Sequence, residues 1–140
     1  MTNTNALQRI LYVEDEPDIR TVATLALRAV GGFEVIACAS GVEAIAAAPQ
    51  ARADLVLLDV MMPGMDGPAT LKALRKLPAT AATPVVFMTA KVQANEVAEY
   101  RALGALEVIP KPFSPMEVSN QIRAIWERHA FVQSTGAALS

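Results

Sequence analysis

The chain has 140 residues, 53% of them hydrophobic, and a formal net charge of −2; that length suits one domain able to bury a real core without staples. No apolar run approaches the ~18 residues of a membrane span, the polar start MTNTNALQR lacks a secretory apolar region, and the scattered Lys and Arg offer no basic stripe to a nucleic acid. The single Cys38 excludes an internal disulfide, reads as an inert core thiol, and fits a reducing, cytoplasmic compartment.

Ile10–Val13 is the first apolar run of strand length, and it ends abruptly in Glu14-Asp15-Glu16. Pro17, a good first-turn residue, opens a helix in which Ile19, Val22, Ala23, Ala26 and Val30 keep helical spacing until Gly31–Gly32 stops it. Glu34–Ala37 predicts a second strand, and Ser40-Gly-Val-Glu43 a capping box for a second helix ending near Pro49. Leu55–Leu58 is the third strand; it runs into Asp59 and then VMMPGMDG over 60–67. Asp66 before Gly67 reads as a helix cap, and Leu71, Leu74 and Leu77 mark a third helix bounded by Pro78. Val85–Met88 is the fourth strand, with Thr89 and Ala90 at its end. Val92, Val97, Tyr100 and Leu103 predict a fourth helix, half-burying Tyr100 and closed by Gly104. Leu106–Ile109 is the fifth strand and ends in Pro110-Lys111-Pro112. Ser114-Pro-Met-Glu117 is a further capping box, with Pro at the first helical position, opening a fifth helix that turns Val118, Ile122 and Ile125 inward. From about Val132 the sequence reads as a frayed tail.

Strand and helix thus alternate five times, and the strands are near-continuous apolar runs, as expected when helices cover both faces of a parallel sheet. In such sheets functional groups gather beyond the carboxyl ends of the strands. There the chain offers Glu14 and Asp15, then Asp59, then Thr89, then Lys111. Two carboxylates ~4 Å apart repel by ~4 kcal/mol at an effective dielectric of 20, so bringing these acids together calls for a cation. Hard oxygen ligands suit Mg²⁺, and the lack of clustered His or Cys argues against zinc. Glu16 and Asp18 read instead as acids favourable at a helix start.

Four pieces in order, each at a strand end, carry a family resemblance: EDE, Asp59 followed by MMPGMDG, FMTA, and PKPF. Together they resemble the receiver domain of two-component response regulators, over roughly residues 8 to 128. The resemblance implies a doubly wound α/β fold of the flavodoxin-like type, with a five-stranded parallel sheet in the order 2-1-3-4-5 and five helices. It divides the chain into a flexible start over 1–7, a receiver domain over 8–130 and a disordered tail over 131–140, and suggests a stand-alone regulator with no output domain. Asp59 is then the phosphoacceptor, taking a phosphoryl group from a histidine kinase or phosphotransfer protein. Mg²⁺ is held by Glu14, Asp15, Asp59 and the main-chain carbonyl of Met61. Lys111 contacts the phosphoryl oxygens, Thr89 swings to hydrogen-bond them, and Ala90 leaves its N–H accessible. The Lys111–Pro112 bond is expected to be cis.

The implied protein is a signalling switch with self-catalysed phosphorylation and dephosphorylation only, not an enzyme acting on other substrates. It changes the face around the fourth helix, fifth strand and fifth helix to alter binding of a downstream protein, as a monomer or weak dimer, without nucleic acid or membrane. Many receivers carry an aromatic switch residue three positions before the lysine, where this chain has Val108; the loop after Thr89 is the alternative route for the change. Rival readings fit less well. A haloacid-dehalogenase-type phosphatase needs a second aspartate where Met61 stands, and a flavin phosphate would be repelled by the acids after the first strand. A docking module that is never phosphorylated would not need the full constellation.

Overall fold

Burial on both faces selects the strands. In the computed structural model, whose described residues are 6–139, with side chains described over 6–129, the runs become β1 (Arg9–Val13), β2 (Glu34–Cys38), β3 (Leu55–Asp59), β4 (Val85–Thr89) and β5 (Glu107–Pro110). All pair in parallel, in the order β2-β1-β3-β4-β5. Every residue of β3 and β4 is buried, which accounts for their unbroken apolar sequence.

Helices α1 (Pro17–Ala29), α2 (Gly41–Ala51), α3 (Gly67–Arg75), α4 (Ala94–Ala102) and α5 (Val118–Leu139) connect or follow the strands. Strand side chains alternate between faces, so the sheet carries a core on each. One packs Ile10, Tyr12, Leu55, Leu57, Val86 and Met88 with Leu27 of α1 and with Val118, Ile122 and Ile125 of α5. The other packs Leu11, Val13, Val56, Leu58, Val85 and Phe87 with Ala44 and Ala48 of α2, Leu71 and Leu74 of α3, and Tyr100 of α4. Each fully buried Leu or Ile contributes roughly 1.5–3 kcal/mol.

Several boundaries differ from the sequence reading. Leu7, within the start expected to be flexible, is buried in the first core. At the other ends of that division, residues 1–5 and 140 and the side chains of the tail over 131–139 lie outside the described residues. α2 passes through Pro49 to Ala51. Proline removes its own N–H but does not prevent the following residues from staying helical, and here the Ala51 carbonyl accepts from Arg9 Nε at 3.0 Å while Arg52 turns left-handed at φ 50°. The four-residue stripe read for the fourth helix is not a buried face. Val92 precedes the helix, Leu103 follows it 49% exposed, and only Tyr100 reaches the core, buried rather than half-buried and edge-on to Phe87 with ring centroids 5.5 Å apart. The expected capping box at Ser114 is replaced by a turn over 115–117: the Ser114 carbonyl accepts from the Glu117 and Val118 N–H groups at 3.0 and 2.9 Å, and α5 begins at Val118.

Candidate functional site

Register brings the strand ends level. Val13 pairs with Leu58, Asp59 with Met88, and Thr89 with Pro110, so the residues that follow β1 and end β3, β4 and β5 share one edge. Hydrogen bonds then fix the loops beyond that edge: Glu14 N–H to the Cys38 carbonyl at 3.0 Å, Val60 N–H to the Met88 carbonyl at 3.0 Å, and Lys111 N–H to the Thr89 carbonyl at 2.9 Å. The Lys111–Pro112 bond is cis.

Glycine shapes the loop after β3. A Cβ on Gly67 would lie 2.7 Å from the Asp59 carbonyl oxygen and from the Val60 Cα, so only glycine lets the start of α3 close against that backbone. Asp66 caps the helix, its Oδ1 accepting from Ala69 N–H at 2.9 Å, as its place before Gly67 suggested. That carboxylate is thereby spent on the helix and stays outside the acidic cluster.

The cluster itself comprises Glu14, Asp15 and Asp59, each offering one carboxylate oxygen within 4.8 Å of the others. Glu14 is 1% exposed and Asp59 3%. Lys111 Nζ reaches Glu14 Oε1 at 2.9 Å and Asp59 Oδ2 at 3.5 Å. Burial first, then the Glu14 charge and a side-chain hydrogen bond with Glu14, pushes the Asp59 carboxyl up to about 7, against the opposing pull of Lys111 and of the Met61 N–H. For Lys111 burial works against the charge, but the hydrogen bond to Glu14 and the charges of Asp59 and Glu14 outweigh it and hold the ammonium above its ordinary range. Lys111 thus pairs with two of the three carboxylates, and a cluster of three acids, all hard oxygen donors, fits a small dication such as Mg²⁺.

Thr89 sits at the same edge, fully buried, with Oγ1 accepting from the Lys91 N–H at 3.1 Å. Met61 presents its side chain to solvent, 60% exposed, and its main chain to Asp59 through the N–H. Val108 is half-buried against the second core. Cys38 is a buried thiol pushed up to about 11 by burial and by the Glu43 charge, as an inert core cysteine should be.

Sequence reasoning passed over Arg20. Its Nη1 donates to the Glu14 carbonyl at 2.8 Å and to the Asp15 carbonyl at 3.4 Å. Long helical side chains lean toward the helix N-terminus, so an arginine one turn into a helix that follows an acidic pair was the available sign.

The family description "Response regulator receiver domain" matches residues 10–123. The DNA-binding response regulator MtrA of Mycolicibacterium smegmatis is 38% identical over 122 residues, 87% of this chain and 52% of that protein. The transcriptional activator PfeR of Pseudomonas aeruginosa is 38% identical over 120 residues, 86% of this chain and 38% of that protein. The chain spans about half the length, or less, of these curated relatives. Among solved structures, the chemotaxis response regulator CheY4 of Vibrio cholerae superposes with a TM-score of 0.79 at 32% identity, over 86% of this chain and 99% of that one. The receiver domain of the Pseudomonas aeruginosa sensor histidine kinase PA1611, solved with a magnesium ion coordinated in its active site cleft, gives 0.73 at 28% identity, over 88% and 97%. With its sheet order, its acidic edge and these matches, the chain belongs to the receiver domains of two-component response regulators.

Proposed function

We propose that Asp59 is the phosphoacceptor of this receiver domain. The observation that carries the reading is a nearly buried aspartate within ligand distance of two further carboxylates and 3.5 Å from a lysine ammonium. An Asp59 carboxylate oxygen attacks the phosphorus of a phosphohistidine; the phosphorus–nitrogen bond breaks, and the imidazole leaves and takes up a proton. Burial keeps water from competing, and fixed geometry makes a weak nucleophile effective.

Glu14, Asp15, Asp59 and the Met61 carbonyl are the groups that would hold Mg²⁺. Bound there, the ion supplies charge stabilisation for the transferring phosphoryl group. Lys111 exchanges part of its contact with Glu14 for the phosphoryl oxygens, countering a gain of roughly −1.5 to −2 charge. Thr89 Oγ1 is engaged with the Lys91 N–H before transfer. Turning the hydroxyl toward the phosphoryl group breaks that bond and frees the loop that leads into α4. This gives the chain a route from site to surface that does not need an aromatic residue where Val108 stands.

The phosphodonor is a histidine kinase or phosphotransfer protein. Beside Lys111 an apolar groove of about 280 Å³ opens between α1 and the segment before α5, lined by Ile19, Val22, Pro112, Phe113 and Pro115. A donor must bring its histidine to Asp59, and this rim offers it apolar footing. The altered face of α4, β5 and α5 then changes affinity for a downstream protein, with the chain acting as a monomer or weak dimer in the cytoplasm. Self-catalysed gain and loss of the phosphoryl group is the whole of its chemistry. DNA binding is named for MtrA and is not part of the reading for these residues.

Incubation with a small phosphodonor, with and without Mg²⁺, followed by intact mass measurement, tests the assignment. One phosphoryl group is gained only with Mg²⁺ and not by Asp59→Asn. Equal gain in Asp59→Asn, or none in the unaltered protein with any donor, overturns it.

A further inference from the structure

We infer that Arg20 is a positioning residue for the cation site: its guanidinium, donating from Nη1 to the main-chain carbonyls of both Glu14 and Asp15, holds the two acids where a dication can use them. This rests on the reading of Glu14, Asp15 and Asp59 as the Mg²⁺ site.

The loop after β1 has few other restraints. Glu14 N–H is tied to β2 through the Cys38 carbonyl at 3.0 Å, and Glu16 N–H is tied back to Glu14 Oε2 at 3.2 Å. Asp15 has neither kind of tie: among the described residues its only hydrogen bond is the one its carbonyl accepts from Arg20 at 3.4 Å. The direction of its carboxylate therefore depends on the backbone, and Arg20 holds that backbone on both sides of the Asp15 Cα, through the Glu14 and Asp15 carbonyls. Both bonds come from Nη1, whose two N–H groups are fixed in the guanidinium plane, whereas an ammonium acts as a point charge with freely turning donors. The grip starts from a rigid place, because Arg20 lies in α1 with its own N–H donated to the Glu16 carbonyl at 2.9 Å. Arg20 also follows Ile19 and precedes Val22, which line the groove beside Lys111. A partner pressing on that stretch of α1 thus presses on the element that aims Asp15.

Electrostatics and positioning predict opposite signs. Arg20 is a positive charge beside a cation site, so if charge alone mattered its removal would tighten Mg²⁺ binding. If the guanidinium aims the ligands, removal weakens binding, by roughly tenfold for loss of an outer-shell partner.

The test compares wild type, Arg20→Met and Arg20→Lys by calorimetric titration with MgCl₂, and by amide hydrogen exchange at Asp15 and Glu16 in metal-free protein. Arg20→Met is expected to bind Mg²⁺ roughly tenfold more weakly and to exchange faster at both amides without metal, with Arg20→Lys between it and wild type in both. Equal or tighter Mg²⁺ binding by Arg20→Met overturns the inference, as does unchanged exchange. If Arg20→Met does not fold, Arg20→Lys decides alone, and wild-type affinity and exchange in that variant overturn it. If the wild type itself ignores Mg²⁺, the reading of the site fails, and the metal-free exchange still decides whether Arg20 holds the loop.

Discussion

Asp54 and Asp59 bracket the same strand. Asp54, just before β3, has an Oδ2 that accepts from the Gln8 and Arg9 N–H groups at 3.0 and 2.9 Å. Asp59, at the other end, is buried against Glu14 with its carboxyl raised to about 7. One aspartate is satisfied by donors and ties the start of β1 to β3. The other is set against its own kind and is relieved by Lys111 and the Met61 N–H. The amino edge of the sheet is built for stability and the carboxyl edge for a reaction, with the same side chain in both roles.

The largest effect should come from taking the counter-cation away. Lys111→Met leaves Glu14 and Asp59 facing each other with nothing between them. Removing one partner of a buried pair costs about 3 kcal/mol, and some of this is regained when Asp59 keeps a proton. Urea unfolding in EDTA should show the loss, and phosphoryl uptake from a small donor should slow by roughly 10²-fold or more, as when a preorganised charge-stabilising group is removed. A Lys111→Met protein as stable as wild type would mean the acids are not in conflict, and the contrast with Asp54 would collapse.

Asp59→Asn probes the same conflict from the other side. Removing the charge should stabilise the metal-free protein by about 2 kcal/mol near pH 8 while abolishing phosphoryl uptake. The pH dependence follows from the raised carboxyl. Between its ordinary 3.8 and about 7 the folded chain holds a proton that the unfolded chain does not. This stability is fully present below the lower value and is lost as pH rises through the upper one. In EDTA the wild-type melting temperature should therefore rise as pH falls from about 8 to about 5, and the slope should flatten in Asp59→Asn. Thermal melts across that range decide it; identical slopes would place the proton elsewhere.

How much of this was legible in the sequence follows from what the residues touch. β3 and β4 were plain because both faces are buried, and Leu57 or Phe87 can be read from composition alone. The strand-end acids and Lys111 were legible because parallel pairing must bring strand ends to one edge. The fourth helix was legible but its buried face was not, because a helix lying largely in solvent carries little apolar pattern, and Val92 and Leu103, which flank it, lent it a stripe it does not have. Arg20 was harder to read for a different reason: its partners are main-chain carbonyls, which every residue owns, so only its place one turn into the helix after the acidic pair pointed to them. That Lys111 lies nearer Glu14 than Asp59 is likewise a matter of side-chain reach.

Asp54→Ala should behave in the opposite way to Asp59→Asn. It removes an acceptor from two main-chain donors, one exposed and one half-buried, and should cost about 1 kcal/mol, mostly from the half-buried Arg9 N–H. Phosphoryl uptake should stay within about twofold, because nothing that touches the acidic cluster changes; a loss like that expected for Lys111→Met would mean the two edges are coupled through β3.

The smallest effect separates hydrogen bonding from charge within the amino edge. Arg9 pairs with Glu34 at 3.3 Å, and its Nε also donates to the Ala51 carbonyl at 3.0 Å, where α2 ends. Glu34 is mostly exposed, so its pair is screened by water and contributes little. The Ala51 bond satisfies a helix-end carbonyl that would otherwise rely on solvent. Arg9→Met should therefore cost about 1 kcal/mol and Glu34→Gln less than about 0.5 kcal/mol, measured by urea unfolding at low and high salt. If Glu34→Gln costs as much as Arg9→Met, and added salt erases both losses, charge rather than the carbonyl bond holds this edge. The amino edge would then differ from the acidic one in the sign of its charge pairs and not in the kind of force that organises it.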